Sequence, residues 1–198
     1  EELIDQAKKR HYIFSDQIPP RREDLIFLED YKNTHKLRNG KSIEIRPIMP
    51  SDEFSSRNFF YSLQETTIYH RFFYKRKIFG HRDVQSELAS VDYHQNMTLI
   101  GLVMRGGHKE IMAVASYAQE VDATLAEVAF LVREDFQGLG VASLMLGQLE
   151  MVARENGFKG FTAIVLKENQ AMLHVFKRKY PDCKFKFIGP EVAVTMKF

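Results

Sequence analysis

The sequence predicts an α/β domain with a twisted mixed sheet and helices on both faces. Three observations lead to this fold class. The apolar patterns follow the order strand, helices, three strands, helix, strand, helix and two strands. Residues 105–108, Arg-Gly-Gly-His, separate two apolar runs and are typical of a hairpin turn. Residues 137–142, Gln-Gly-Leu-Gly-Val-Ala, join an apolar strand to a long helical segment, an arrangement that often borders a ligand site.

The first part of the domain is expected to contain one strand and three helices. Polar and apolar residues alternate after the Asn39-Gly40 turn, as in a strand, and two prolines end that pattern. Ser51 or Asp52 is a suitable cap for the helix that follows. The predicted elements are a strand over residues 42–46 and helices over about 52–63, 67–73 and 81–90.

The second part is expected to hold a three-stranded meander and two helices that alternate with strands. Gly157 supplies a stop for the longer helix, and Pro181 ends the last one. Polar residues fall at helical spacing in the longer helix and leave a wide apolar surface, so we expect it to be covered on most sides. The predicted elements are strands over 97–104, 110–119, 124–132, 160–165, 184–188 and 191–197 and helices over 139–156 and 169–180.

The chain is interpreted as a linker or N-terminal extension over residues 1–40 and one domain over residues 41–198. Residues 17–22, Gln-Ile-Pro-Pro-Arg-Arg, contain adjacent prolines, which favour extended backbone. The first residue is Glu1 rather than methionine. We therefore expect this chain to be trimmed, or to be a fragment of a longer polypeptide with a domain upstream.

Composition argues against several classes of protein. The net charge is only +2, which does not suit a dedicated nucleic-acid binder. No apolar run approaches the roughly 20 residues that a membrane-spanning helix needs. The only cysteine, Cys183, cannot form an internal disulfide, and this fits a cytoplasmic location. The seven histidines show no metal-ligand spacing, so no metal is expected.

The glycines of residues 137–142 are suited to binding a phosphate. The first turn of a helix has backbone N–H groups without partners, and glycines let an anion approach them. The nucleoside-triphosphate loop needs a Lys-Ser or Lys-Thr that is missing here, and the dinucleotide fingerprint needs a third glycine where Ser143 stands. The pattern Gln/Arg-x-x-Gly-x-Gly/Ala of acetyl-CoA-dependent N-acyltransferases is filled completely. An ordinary strand-to-helix turn is the alternative interpretation.

With this motif, residues 42–198 resemble the GCN5-related N-acetyltransferase (GNAT) superfamily. The resemblance also rests on residues 45–48, Ile-Arg-Pro-Ile, with Asp52, and on Asn169 before the last helix. It implies a mostly antiparallel sheet whose central strands splay apart. It also implies an enzyme that takes acetyl-CoA as acyl donor.

A narrower resemblance is to the acetyltransferase modules of bacterial protein-lysine acetyltransferases. It rests on residues 37–48, 69–73, 91–97 and 126–129. Such modules often lie beside acyl-CoA synthetase-like domains. Similar ones occur at the C-terminus of acetyl-CoA hydrolase/transferase proteins, whose joint resembles residues 11–20. The resemblance therefore implies a lysine-bearing protein acceptor and an upstream domain related to acyl-CoA chemistry.

The resemblance also implies which residues bind CoA. The backbone near Phe130 would pair with the pantetheine arm, next to a bulge that opens the sheet, and Asn169 would contact the same arm. The amides of the glycine loop would hold the pyrophosphate. The expected cofactor-binding residues are Phe130, Leu131, Val132, Gln137, Gly138, Leu139, Gly140, Val141, Ala142, Ser143 and Asn169.

Glu127 is the expected catalytic base, at the position of the family's glutamate. A lysine, with a pKa of about 10.4, must lose a proton before it can attack a thioester. In a strand, Glu127 shares one face with Leu125, Ala129 and Leu131. Burial among them would raise the pKa of the carboxyl group and make it a better base. A solvated or structurally paired glutamate is the alternative.

The sequence departs from the family at Phe176, where many members have a tyrosine that protonates the departing thiolate. Tyr180, one turn further along the helix, is expected only to pack. The predicted function is transfer of an acetyl group from acetyl-CoA to an amine, most plausibly a protein lysine. Two alternatives stay open: a non-catalytic module that senses acyl-CoA for a larger enzyme, and an acetyltransferase for small amines.

Overall fold

A computed structural model of the protein describes residues 28–73, 92–119 and 124–198. Eight strands form one sheet in these ranges, with spatial order β1-β2-β3-β4-β5-β6-β8-β7. The strands are β1 (Asn33–Lys36), β2 (Ser42–Pro47), β3 (Asn96–Arg105), β4 (His108–Gln119), β5 (Leu125–Val132), β6 (Gly160–Leu166), β7 (Lys184–Ile188) and β8 (Glu191–Lys197). The α-helices of the same ranges are α1 (Glu53–Ser62), α2 (Glu65–Phe72), α3 (Val141–Glu155) and α4 (Gln170–Lys179).

The sheet is antiparallel except at its centre. Strands β1 to β5 form one antiparallel ladder, and β6, β8 and β7 form another. The two ladders are joined by a short parallel pairing between Leu125–Glu127 of β5 and Gly160–Thr162 of β6. Beyond Glu127 the pairing ends while both strands continue. The central strands therefore splay apart, as expected from the sequence.

The prediction of a bulge near Phe130 is wrong. Strands β4 and β5 stay in register from Ala113 opposite Val132 to Gln119 opposite Ala126. The register shift lies instead between Gly101 and Leu102, in the pairing of β3 with β4. The gap between β5 and β6 arises because their pairing stops after Glu127, and it needs no extra residue in β5.

Helices cover both faces of the sheet and create two apolar cores. On one face, the apolar side of α3, including Leu149 and Val152, packs with strand residues such as Val128 and Phe161. On the other face, side chains of α1 and α2 pack on the sheet; this core contains Phe59, Phe60, Ile68, Ile100, Leu102 and Leu131. Successive residues of β5 enter different cores because side chains alternate along a strand.

Part of the expected linker belongs to the sheet. Strand β1 lies within residues 1–40 and pairs with β2, and the side chain of Gln148 on α3 donates a hydrogen bond to the carbonyl of Tyr31. The domain boundary at residue 40 stays a prediction. The expected linker over residues 1–27 also stays a prediction, because these residues lie outside the described ranges. The helix predicted over residues 81–90 also lies outside them.

No helix in the ranges 28–73, 92–119 and 124–198 is long and apolar enough to cross a bilayer. The same residues contain no group of three or more His, Cys, Asp or Glu side chains that could hold a metal ion.

The carboxylate of Glu150 links α3 to α4. Its Oε2 atom accepts hydrogen bonds from the Tyr180 hydroxyl at 2.8 Å and from Lys179 Nζ at 2.7 Å. Its Oε1 atom accepts from Arg154 Nη2 at 2.7 Å. Burial alone would raise the pKa of Glu150, but hydrogen bonds from Lys179, Arg154 and Tyr180 outweigh it and hold this pKa below the ordinary 4.5.

We expect Glu150 to contribute less to the stability of the fold in acid. A carboxyl group with a lowered folded-state pKa stabilises the fold above its unfolded pKa, and this contribution is lost as the pH falls through the folded pKa. Glu150→Gln should therefore be less stable than the wild type at neutral pH, and the difference should shrink below a pH of about 4.5. Denaturant unfolding of both proteins over a pH series measures this. A difference that stays constant down to the acid limit contradicts it.

Candidate functional site

A loop with two left-handed glycines leads from β5 into α3. After a 3-10 turn over Glu134–Phe136, Gly138 has a φ of 72° and Gly140 a φ of 91°. Non-glycine residues rarely adopt such values, and the space beside Gly138 is open, with no atom within 4 Å of a Cβ built there. The glycines therefore turn the chain sharply and leave one side of its backbone uncovered.

The amides of this loop form a row at the N-terminus of α3. Within the described residues, the first amide of this helix with a backbone acceptor is that of Leu144, which donates to the carbonyl of Gly140. The amides of residues 138–143 precede it at the positive end of the helix dipole. The amide of Gln137, which was expected to join this row, donates instead to Glu134 at 3.2 Å. The arrangement suits an anion such as a diphosphate.

Gln137 positions the loop through its side chain. Its Nε2 atom donates to the carbonyl of Val132 at 2.9 Å and to Thr67 Oγ1 at 3.2 Å. One amide thus ties the glycine loop to the end of β5 and to α2. The side chain of Gln137 therefore holds the glycine loop in place.

A cavity of about 470 Å³ passes between the splayed strands and reaches the glycine loop. Residues from both faces of the sheet line it: Glu127, Ala129 and Ile164 come from one face, and Phe130 and Val165 from the other. The expected site residues along its wall are Glu127, Phe130, Val132, Gln137, Gly138, Gly140, Val141, Ala142, Ser143 and Asn169. One continuous space therefore joins the amide row to the carboxylate of Glu127.

Two expected residues do not line the cavity. Leu131 is buried in the core beneath α1 and α2, and Leu139 packs its side chain against the core beneath α3. Both residues lie in segments that border the cavity, but their side chains point away from it. Any part they have in binding is limited to their backbone.

Glu127 is exposed, so its expected burial is wrong. It stands opposite Ala118 of β4 and Thr162 of β6, neither of which is buried. Helices α1 and α2 cover the later part of this strand, where Leu131 is only 4% exposed, but they leave the carboxylate uncovered. The carboxylate of Glu127 is therefore accessible from this face of the sheet.

Two cationic cavity residues, Arg38 and Arg71, were missed by the sequence analysis. Arg38, in the turn between β1 and β2, donates from Nη1 to the carbonyl of Gly138 at 3.3 Å. Arg71 and Arg178 line the same cavity from α2 and α4. No local pattern marks Arg38 or Arg71, whereas Arg178 stands in the basic run of residues 177–179. Together they make the wall around the glycine loop favourable for an anion.

A contact between His70 and Glu168 links α2 to the segment just before α4. His70 Nε2 lies 3.4 Å from Glu168 Oε1, and Asn169 follows directly. The side chain of Asn169 accepts a hydrogen bond from the amide of Met172 at 3.2 Å and so caps α4. Its remaining amide nitrogen is a donor that a ligand in the cavity can use.

Neither aromatic residue near the expected acid position is a proton donor to the cavity. Phe176 is buried and packs edge-on against Phe130, with ring centroids 6.1 Å apart. The Tyr180 hydroxyl donates to Glu150, and burial together with that bond raises the pKa of Tyr180 far above its usual value. Tyr180 thus stabilises the contact between helices, in agreement with its expected packing role.

Comparison with known proteins identifies the family. A family model described as the Acetyltransferase (GNAT) family matches residues 63–180. The chain belongs to this family. The match includes the glycine loop, Glu127 and Asn169, and it confirms the GNAT fold expected from the sequence. The chain is therefore a GNAT domain, and the acetyltransferases of this family use acetyl-CoA as a substrate.

Two relatives named as acetyltransferases have similar sequences. The protein is 33% identical over 144 residues to Acetyltransferase Pat of Mycolicibacterium smegmatis, an alignment that covers 72% of this chain and 42% of that protein. It is 29% identical over 153 residues to Acetyltransferase PA5475 of Pseudomonas aeruginosa, covering 77% and 78% of the two chains. The chain thus spans less than half of the Mycolicibacterium relative.

Solved structures share the fold. The GNAT domain of S. lividans PAT superposes with a TM-score of 0.76 at 28% identity, over 87% of this chain and all of that one. A cAMP-binding acyltransferase from Mycobacterium smegmatis superposes with a TM-score of 0.58 at 25% identity. That alignment covers 100% of this chain and 52% of the other, so the GNAT fold forms about half of that protein.

Proposed function

We propose that this GNAT protein transfers an acetyl group from acetyl-CoA to the side-chain amine of a protein lysine, with Glu127 as general base. The observation that carries the proposal is the single cavity that holds both the amide row of the glycine loop and the Glu127 carboxylate. An anionic donor can bind at one end while an amine is deprotonated at the other.

The donor's phosphates are assigned to the glycine loop. The amides of residues 138–143 and the positive end of α3 attract the diphosphate, and Arg38 adds a full positive charge beside Gly138. The pantetheine arm then follows β5. Beyond Glu127 the edge of this strand no longer pairs with β6, so its amides and carbonyls can bond the arm as they would a neighbouring strand.

Glu127 is assigned to proton removal from the acceptor. The carboxylate takes a proton from the lysine ammonium group, and the neutral nitrogen attacks the thioester carbon. A C–N bond forms as the C–S bond breaks, and the sulfur leaves with the electron pair as a thiolate. The acylated nitrogen then loses its second proton through water, and the thiolate takes up a proton to give free CoA. A thiol with a pKa of roughly 8.5 is a good leaving group, so water can supply its proton where Phe176 replaces tyrosine.

The lysine acceptor is supported by two features. The sequence resembles bacterial protein-lysine acetyltransferases around the site, including residues 69–73 and 126–129. The carboxylate of Glu127 also lies on an exposed part of the sheet, so a lysine carried by a large protein can reach it.

Turnover assays on the chain test the proposal. With acetyl-CoA and a panel of lysine-bearing proteins and peptides, we expect release of free CoA and acetyl-lysine by mass spectrometry. Small amines such as polyamines form a parallel panel. Acetylation confined to that panel contradicts the lysine acceptor. CoA binding with no CoA release from either panel favours a regulatory module instead.

Arg38→Gln is expected to weaken donor binding. Loss of one guanidinium beside the diphosphate removes a charge-assisted contact worth about 1.5–3 kcal/mol, which corresponds to a KM for acetyl-CoA about 10- to 100-fold higher. Steady-state kinetics measures this. Arg57→Gln, on α1 and outside the cavity wall, is the matched control and should leave KM unchanged. Equal KM values for both variants would remove Arg38 from the site.

A further inference from the structure

A row of side chains crosses four strands from Glu127 to the edge of the sheet. Glu127 pairs with Thr162, Thr162 with Thr195, and Thr195 with Lys184. Paired residues of neighbouring strands point to the same face. Strands lie about 4.8 Å apart, so Lys184 lies about 14 Å from Glu127 across the sheet. A parallel row runs from Ile164 through Ala193 to Lys186.

This part of the face is open and shallow. Ile164 is 39% exposed, and Thr162, Ala193 and Thr195 are only partly buried. These side chains are short or flat, so they form a floor beside the carboxylate. Lys184 and Lys186 lie on the edge strand β7, and both are exposed. We call these residues, with Lys197, the acceptor face.

The acceptor face is positively charged. Lys197 follows Thr195 by two residues, so it points to the same side as Lys184 and Lys186. None of the three lysines forms an ion pair with an acidic side chain within the described ranges. Glu127 is the one acidic residue of the two rows, and Glu191 lies in the next row, opposite Ile188 at the other end of β8 from Lys197. Three exposed cations therefore border the floor between Glu127 and the sheet edge.

We infer that the acceptor face docks a protein segment that carries acidic residues about four positions from the target lysine. The inference rests on the proposed function, because it places the target amine at Glu127. An extended segment advances about 3.3 Å per residue, so the distance to Lys184 corresponds to about four residues. Carboxylates at that spacing meet Lys184, Lys186 and Lys197, and lysine-flanked segments are repelled.

Synthetic peptides test this inference. Each peptide has one acceptor lysine, with Asp, Asn or trimethyl-lysine at the fourth position on either side. Trimethyl-lysine keeps the positive charge of lysine but cannot be acetylated, and the peptides that carry it are called the Lys peptides. Binding to the Glu127→Gln chain loaded with CoA is measured by fluorescence anisotropy, and acetylation by the wild type gives kcat/KM. We expect the Asp peptides to bind and react about fivefold better than the Asn peptides, and the Lys peptides to be worst.

Charge reversal provides the matched comparison. Lys184→Glu should remove the preference for Asp and favour the Lys peptides, by about fivefold in each direction. Lys36→Glu, an exposed lysine on the opposite edge strand β1, should change nothing. Lysines on edge strands also prevent sheets from associating. If that is their entire role, Lys184→Glu leaves the peptide preference unchanged, and the inference is wrong.

The possible failures are distinguishable. Acetylation of all peptides at equal kcat/KM overturns the acceptor face and leaves the proposed function standing. Lys184-dependent binding of Asp peptides without acetylation supports the docking surface and overturns lysine transfer. Neither binding nor acetylation overturns both.

Discussion

Glu127→Gln is expected to lower turnover by about 10²- to 10⁴-fold and to leave the affinity for acetyl-CoA unchanged. Glutamine keeps the size and shape of the side chain but cannot accept the proton of an ammonium group. Because Glu127 is exposed, its replacement removes no packing from either core. Steady-state rates and calorimetric titration with CoA separate the two effects.

Glu65→Gln is the control for this experiment. Glu65 is an exposed carboxylate in the first turn of α2 and does not line the cavity. We expect this variant to retain full turnover. Undiminished turnover of Glu127→Gln would show that another group, or water, removes the proton. A parallel loss of CoA affinity would show that the carboxylate acts in donor binding.

Gly140→Ala is expected to reduce affinity for acetyl-CoA at least about tenfold. An alanine at a φ of 91° is strained by roughly 1–2 kcal/mol, and relief of this strain moves the amides that follow it. The new methyl group also stands beside Arg38, whose Nε lies 3.9 Å from the added Cβ position. The loop therefore loses its alignment at the point where the diphosphate is bound.

Gly157→Ala is the matched control, at the other end of the same helix. Gly157 has a φ of 86° and no atom within 4 Å of an added Cβ, but it does not line the cavity. Both variants should lose similar stability in denaturant unfolding, and only Gly140→Ala should lose CoA affinity. An equal loss of affinity in both would mean that stability of α3, and not the amide row, controls binding.

The strand and helix order could be predicted from the sequence because it depends on local patterns. The alternation of polar and apolar residues in β2 and the Gly-Gly pair of the β3–β4 hairpin can be recognised from the sequence without tertiary information. The glycine loop could also be recognised from the sequence, since two closely spaced glycines before a long helix are typical of only a few kinds of loop. Helix α3 begins at Val141, two residues later than expected, because Leu139 and Gly140 belong to the turn.

The local surroundings of the site could not be predicted in the same way. Whether Glu127 is buried depends on how far α1 and α2 extend over the sheet, and no pattern within β5 reports this. Arg38 donates its hydrogen bond to a residue 100 positions further along the chain, and no local pattern can report such a contact. Strand β1 itself, Asn-Thr-His-Lys, contains no apolar residue to mark it as a strand.

The most direct measurement is a crystal structure of the chain with acetyl-CoA. We predict the diphosphate within hydrogen-bonding distance of the amides of residues 138–143, and the thioester in the gap between β5 and β6 facing Glu127. A donor bound elsewhere, or a thioester on the side of the sheet away from Glu127, would contradict the proposed site.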